Sequence, residues 1–382
     1  MMRKLILTTG AVFAALSLTL LPASLPAVTP APPKINSPSY LLLDFNSDKY
    51  IVSENIDVRL EPASLTKMMT VYVVSEELKA GNISLDDSVL VSEKAWRMQG
   101  SRMFIEVDKE VRLEDLIKGV VIQSGNDASV ALAEHVSGSE DVFANVMNQT
   151  ARRLGMTGTN YMNSTGLPGK EHYTTARDLA TLAKAIIRDH PEIYAWHSIR
   201  EFTYNGIKQH NRNSMLWRDD SIDGIKTGHT ETAGYCLVGS AKRGDMRLIS
   251  VVMGTDGNKA RTTATQTLMN YGFRYYETHK LYDAGQMITS NRIWKGSVEN
   301  LDFGISEALF VTIPRGMYKE LNAVIEIDKN IVAPVEMGES HGLLKITLDN
   351  EKVVDKPLVA LQAVDEGSFL NRIKDEIQLL FE

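Results

Sequence analysis

From Met68 to Val74 the chain is apolar almost all the way round a helical wheel, which predicts a helix buried on every side. Pro62 fits the first turn of that helix, where its missing N–H leaves no bond unmade, and Gly81-Asn82 fits the end. Ahead of it, Tyr40–Phe45 and Lys49–Ser53 alternate as two strands, and Asn46-Ser47-Asp48 joins them into a hairpin. Helical periodicity returns over Leu113–Val121, Asp127–His135, Asp141–Leu154 and Thr175–Arg188, the last with Thr175 and Asp178 in a capping pattern.

After Tyr204-Asn205-Gly206, a tight-turn signal, the pattern changes to strands over Gly224–Thr227, Gly234–Ala241 and Met246–Met253. A helix over Asn258–Tyr276 closes this region. Two early strands and three late ones, with helices between and after, predict one antiparallel sheet covered on both faces. From Leu281 short strands take over, at Leu309–Ile313, Leu321–Ile327, Leu343–Leu348 and Leu358–Val364, and read as a small all-β sandwich. The end of the chain is helical again. Phe369, Leu370, Ile373, Ile377, Leu380 and Phe381 recur at helical spacing, with charged and amide residues opposite. Such a helix is expected either to lie in a membrane interface or to dock on its own β domain.

At 382 residues the chain has room for more than one domain, and 43% hydrophobic with 23% charged residues is an ordinary soluble composition. A net charge of -7 argues against nucleic acid as a partner. The single cysteine, Cys236, lies in an apolar run and reads as core. Arg3 and Lys4 precede an apolar run from Leu5 to Leu21, followed by Pro22 and small residues, the pattern of a secretory signal peptide cleaved between Ala23 and Ala31. The expected divisions are a signal peptide over 1–27, a proline-rich leader over 28–38, a catalytic domain over 39–280, an all-β domain over 281–366 and an amphipathic helix over 367–382.

Chemistry concentrates in three places. Ser64 and Lys67 are three apart at the head of the buried helix, so the ammonium reaches the hydroxyl and, with its pKa lowered by burial, serves as its base. Ser124-Gly125-Asn126 sits at a break between two helices and presents a hydroxyl and an amide to one cleft. Lys226-Thr227-Gly228-His229 ends a strand, where Gly228 admits a substrate backbone and the lysine and threonine hold an anion. Singly, each has an ordinary turn, helix-start or strand-exit reading. The eight histidines show no metal-ligand spacing and no phosphate loop is present, so neither a metal nor a cofactor is expected.

In the order S-x-x-K, S-G-N, K-T-G-H the three motifs resemble those of the penicillin-binding proteins and serine β-lactamases, and most of all the low-molecular-mass D-alanyl-D-alanine carboxypeptidases. The resemblance implies an α+β, β-lactamase/transpeptidase-like catalytic domain, a C-terminal β domain and a terminal membrane-anchoring helix. It implies that Ser64 is the nucleophile, Lys67 its base and Ser124 a proton relay, with Lys226 keeping the local potential positive. Asn126 would bond the peptide, the N–H groups of Ser64 and His229 would form an oxyanion hole, and Thr227 would bind the terminal carboxylate, helped by Arg212 and Arg261. Peptidoglycan stem peptides are the implied substrates, β-lactams covalent inhibitors, and the outer face of the inner membrane the location. No E-x-x-L-N string lies between Asn126 and Lys226, so a penicilloyl adduct is expected to leave slowly. Transpeptidase or endopeptidase action on the same peptides, or wall binding with little turnover, are the alternatives.

Overall fold

A computed structural model describes residues 29–380; the expected signal peptide and Phe381 lie outside them. The hairpin forms as β1 (Ser39–Asp44) and β2 (Tyr50–Glu54). With β3 (Ile222–Thr230), β4 (Gly234–Arg243) and β5 (Met246–Thr255) it makes a five-stranded antiparallel sheet in the order β2-β1-β5-β4-β3. Because strand side chains alternate between faces, β1 feeds two cores at once. Leu41 and Leu43 join the larger helical core, while Tyr40 and Leu42 join a second core beneath the helix Asn258–Tyr275.

The helix expected to be buried on all sides runs Lys67–Ala80, and Lys67 through Ser75 are all buried. It ends at Gly81 in the left-handed region, with Asn82 N–H returning to the Glu77 carbonyl. Its start differs from the expectation. Ala63–Thr66 is a 3-10 turn capped by Pro62, and the α-helix begins only at Lys67. Residues three apart eclipse in a 3-10 turn, so the Ser64–Lys67 pairing survives the change. Downstream, the periodic stretch from Leu113 divides into an α-helix, Leu113–Lys118, and a π-helical turn, Gly119–Gln123, that stops at Ser124. Helices Asn126–Ser137, Glu140–Arg153 and Ala176–Asp189 follow, the last capped by the Thr175 hydroxyl on Asp178 N–H as expected. The turn at Asn205-Gly206 closes a small hairpin of Glu201–Tyr204 and Ile207–His210 that periodicity did not reveal.

Pairing in the second module begins at Tyr276, ahead of the change in texture at Leu281: Tyr276–Tyr282 pairs with Leu309–Pro314. A six-stranded sheet holds the other strands, among them Met287–Trp294 and Asn300–Gly304, which the sequence pattern did not mark. The two sheets share one core around Phe303, Val311 and Leu344. The last strand runs Glu351–Ala360, earlier than expected, because Lys352, Asp355, Lys356 and Pro357 mask its alternation. A polar seam joins the modules. Buried Asp44 accepts the Thr278 hydroxyl at 2.7 Å, and Ser47 meets Thr312 at 2.6 Å.

The terminal helix spans Phe369–Leu379 and docks with its polar side inward. Asp375 accepts the Lys295 N–H at 2.6 Å and an Arg292 N–H at 3.2 Å, and Arg292 also reaches Gln378 at 2.8 Å. Phe369, Leu370, Ile377 and Leu380 are 68, 76, 54 and 78% exposed. Among the described residues no helix is long and apolar enough to cross a membrane.

Candidate active site

The nucleophile turn is built under strain. Ala63 has φ +47°, and Gly166 from a neighbouring loop lies so close that a Cβ there would meet the Ala63 carbonyl oxygen at 1.8 Å. Ser64 thereby projects half-buried at the mouth of the helix. Lys67 Nζ lies 3.1 Å from Ser64 Oγ and 2.6 Å from both Asn126 Oδ1 and the Thr165 carbonyl. Among the described residues no carboxylate touches it. Burial pushes the lysine down to about 7, against the opposing pull of Asp127 and Glu140. A neutral amine has two N–H groups and one lone pair. With Asn126 and Thr165 accepting the N–H groups, such an amine keeps its lone pair for the Ser64 hydroxyl.

Ser124 completes the far side. It has φ +66° as it ends the π-turn, and the following Gly125 N–H bonds back to Gly119. This bend turns the hydroxyl to Lys226 Nζ, which donates at 2.8 Å and also reaches the Thr227 carbonyl at 3.0 Å. Asn126 Nδ2 donates to the Gln99 carbonyl at 2.6 Å, which leaves its oxygen for Lys67. Next to it, Asp127 accepts N–H groups from Met103, Phe104 and Ile105 and so holds the 99–105 segment over the Ser-Gly-Asn turn.

Lys226 lies on β3 against Ser124. Burial, reinforced by the cations Lys67, Arg261 and Arg212, lowers its pKa well below the ordinary value, and among the described residues it has no ion-pair partner. Gly228 is closely packed: a Cβ there would meet the Pro62 carbonyl at 3.0 Å and Ala63 and Leu65 at 3.2 Å, so the glycine seats β3 against the Ser64 turn. Thr227 is buried beside Lys226, whereas His229 is exposed and stacks on Tyr235 with ring centroids 3.9 Å apart.

The two arginines part company. Arg261 is buried and donates to the carbonyls of Gly228 at 2.8 Å and Cys236 at 3.2 Å, so it props the edge of the sheet. Arg212 is exposed at the rim, bonded to Ser101 Oγ at 3.3 Å. Neither makes an ion pair among the described residues. Beyond His229 a cleft of about 380 Å³ runs past Glu61, Glu231 and Asp256.

Sequence reasoning missed Thr165 and Gly166, whose contributions are a backbone carbonyl and the lack of a side chain. It missed His172 as well. Its Nδ1 accepts Met162 N–H at 3.1 Å, and its Nε2 meets Thr66 Oγ1 at 2.8 Å. Burial, with help from nearby Lys67, pushes this histidine down to about 4, so it is a neutral prop behind the nucleophile turn. Asp127 was the one such residue with a signal, being adjacent to the motif.

Known proteins match this chain in sequence and in fold. Residues 26–257 match the D-alanyl-D-alanine carboxypeptidase family of S11 peptidases, and residues 276–366 match the C-terminal domain of penicillin-binding protein 5. The chain is 41% identical over 360 residues to the D-alanyl-D-alanine carboxypeptidase DacA of Escherichia coli K12, covering 92% of this chain and 89% of that one. It is similar in structure to penicillin-binding protein 5 from Haemophilus influenzae, with a TM-score of 0.86 and 42% identity over 88% of this chain and 99% of that one. Penicillin-binding protein D2 from Listeria monocytogenes in its ampicillin-bound form gives a TM-score of 0.59 and 29% identity, over 64% of this chain and 100% of that one. With both domains matched and the three motifs brought to one cleft, the chain belongs to the D-alanyl-D-alanine carboxypeptidase family of serine peptidases.

Proposed function

We propose that this serine D-Ala-D-Ala carboxypeptidase works through an acyl-enzyme on Ser64. The observation that carries the reading is the pair of fixed acceptors, Asn126 and Thr165, that aims the Lys67 lone pair at Ser64. As Ser64 Oγ bonds to the carbonyl carbon between the two terminal D-alanines, its proton passes to Lys67. The carbonyl electron pair moves onto oxygen, where the N–H groups of Ser64 and His229 receive it; one such donor contributes about 3 kcal/mol. Collapse breaks the C–N bond; the leaving amine takes a proton from Lys226 through Ser124, and the proton held on Lys67 passes back to Lys226, so both lysines regain their starting states. Water then attacks the ester carbon and gives a proton to neutral Lys67, and as the bond to Ser64 Oγ breaks that proton returns to the serine, freeing the shortened peptide.

Lys226 and Thr227 receive the terminal carboxylate in this reading, with Arg212 at the rim and Arg261 as the brace behind. The substrate's negative charge supplies the counter-ion that Lys226 lacks, so binding raises its pKa and readies it as a proton donor. β-Lactams carry a carboxylate and a strained amide in the same relation, and acylate Ser64. The apolar run after Arg3 and Lys4 supports export to the periplasm. The outward apolar face of the terminal helix supports peripheral attachment to the outer face of the inner membrane.

Incubation with a pentapeptide ending in D-Ala-D-Ala, with and without an acceptor amine, tests the reaction. Free D-alanine and tetrapeptide as the main products in both support it, and a crosslinked product whenever the amine is present replaces it with transpeptidation. Deleting Gly367–Glu382 is expected to release the protein from membranes while sparing activity on soluble peptide. Retention on membranes would remove the anchor.

A further inference from the structure

Thr165 reaches Lys67 only through a backbone carbonyl, so something else must hold that carbonyl in place. The neighbouring residue, Ser164, is tied on both sides. Its N–H and its hydroxyl both donate to one oxygen of Glu140, at 3.0 and 2.7 Å, and its carbonyl accepts the Thr70 hydroxyl at 2.7 Å. The other Glu140 oxygen meets Lys94 Nζ at 2.8 Å, with the lysine half exposed and the carboxylate nearly closed off from water. A continuous line of contacts therefore runs from surface Lys94 through Glu140 and Ser164 to the Thr165 carbonyl and Lys67.

Resting on the acyl-transfer reading above, we propose that Glu140 is a positioning residue: through Ser164 it holds the Thr165 carbonyl that orients the catalytic lysine. Asn126 and Thr165 together fix where the Lys67 lone pair points, and Glu140 braces the second of these. It also contributes charge. The titratable groups that face Lys67 are Asp127 from the 126–137 helix, Glu140 from the 140–153 helix and Lys226 from β3, with neutral His172 on the remaining side. Burial alone would push the Glu140 carboxyl up. The bonds from Lys94 and Ser164 outweigh that and hold it below its ordinary value, so it is an anion at neutral pH. The Lys94 cation, itself stabilised by Glu140, Asp141 and Glu134, partly offsets that anion as Lys67 experiences it.

The test is the pH profile of Ser64 acylation by a fluorescent penicillin, whose acid limb reports deprotonation of Lys67. Glu140→Ala is expected to lower the plateau rate about tenfold, the scale of effect that misplacing a catalytic group produces. Glu140→Gln keeps an oxygen for Ser164 and is expected to restore most of that rate. Both variants remove a negative charge and should move the acid limb to lower pH. Lys94→Ala, at a half-exposed position, unmasks the Glu140 charge and should move the limb to higher pH, which keeps the proposal testable if Glu140→Ala does not fold. A plateau unchanged in Glu140→Ala, limbs that stay in place, or a Lys94→Ala shift in the same direction as Glu140→Gln overturns it. A wild-type protein that fails to acylate at all would instead sink the acyl-enzyme reading.

Discussion

Helix Lys67–Ala80 and helix Phe369–Leu379 depart from ordinary helix burial in opposite ways. The first takes a lysine into the apolar core and, among the described residues, leaves it there without a carboxylate in contact. The second turns Asp375 toward the protein and its leucines and isoleucines toward solvent. An amphipathic helix normally does neither. In the first case burial changes the side chain's chemistry, because desolvation is what brings Lys67 down to about 7. In the second the polar bonds set orientation, so that an apolar stripe faces away from the body of the molecule.

Substitutions at the two helices should therefore have effects of different kinds. The largest is expected at Lys67: Lys67→Ala removes the proposed base and should slow acylation about 10³-fold, as measured by penicillin labelling, with some loss of stability because the Asn126 and Thr165 oxygens lose their shared donor. A loss under tenfold would mean that Ser64 is activated by another group. Next comes the loop that closes on the nucleophile turn. Gly166 has φ +83° and no room for a Cβ beside Ala63, so Gly166→Ala should cost roughly 3 kcal/mol of stability by denaturant melting and abolish labelling. A variant as stable as wild type would show that the loop gives way freely.

The buried histidines near the site make the fold sensitive to acid. His172 and His197 are both pushed from 6.5 down to about 4 by burial. Between those values the unfolded chain binds protons that the folded chain refuses, so stability falls as pH drops from about 6.5 toward 4, by up to roughly 3 kcal/mol for each. Melting temperature should track this, and His172→Asn should flatten part of the slope; a flat profile over that range in the wild type would contradict the assignment. The smallest effect belongs to the terminal helix. Asp375→Ala should cost about 1–2 kcal/mol of docking, read as faster hydrogen exchange over residues 369–379, with penicillin labelling unchanged. Unchanged exchange would mean that the bonds to Arg292 and Lys295 do not hold the helix.

The same contrast explains what could be read from the sequence. Periodicity located β1, β2, the buried helix and the terminal amphipathic stripe, because each buries or exposes a regular face. Motif order brought Ser64, Lys67, Ser124 and Lys226 together in advance, since reactive side chains are visible as letters. Thr165 was not visible, because it contributes a carbonyl that every residue has. The packing of Gly228 against the Ser64 turn was not visible either, and the positive φ of Ala63 and Ser124 has no letter at all. In the β domain, Glu351–Ala360 was obscured because charges occupy a strand whose sides are both partly open to water.

Mass spectrometry after brief exposure to penicillin addresses the central claim most directly. The account predicts one penicilloyl adduct that maps to the peptide carrying Ser64, persists through the analysis and disappears in Ser64→Ala. An adduct on another residue, or rapid turnover of penicillin with no adduct accumulating, would contradict it.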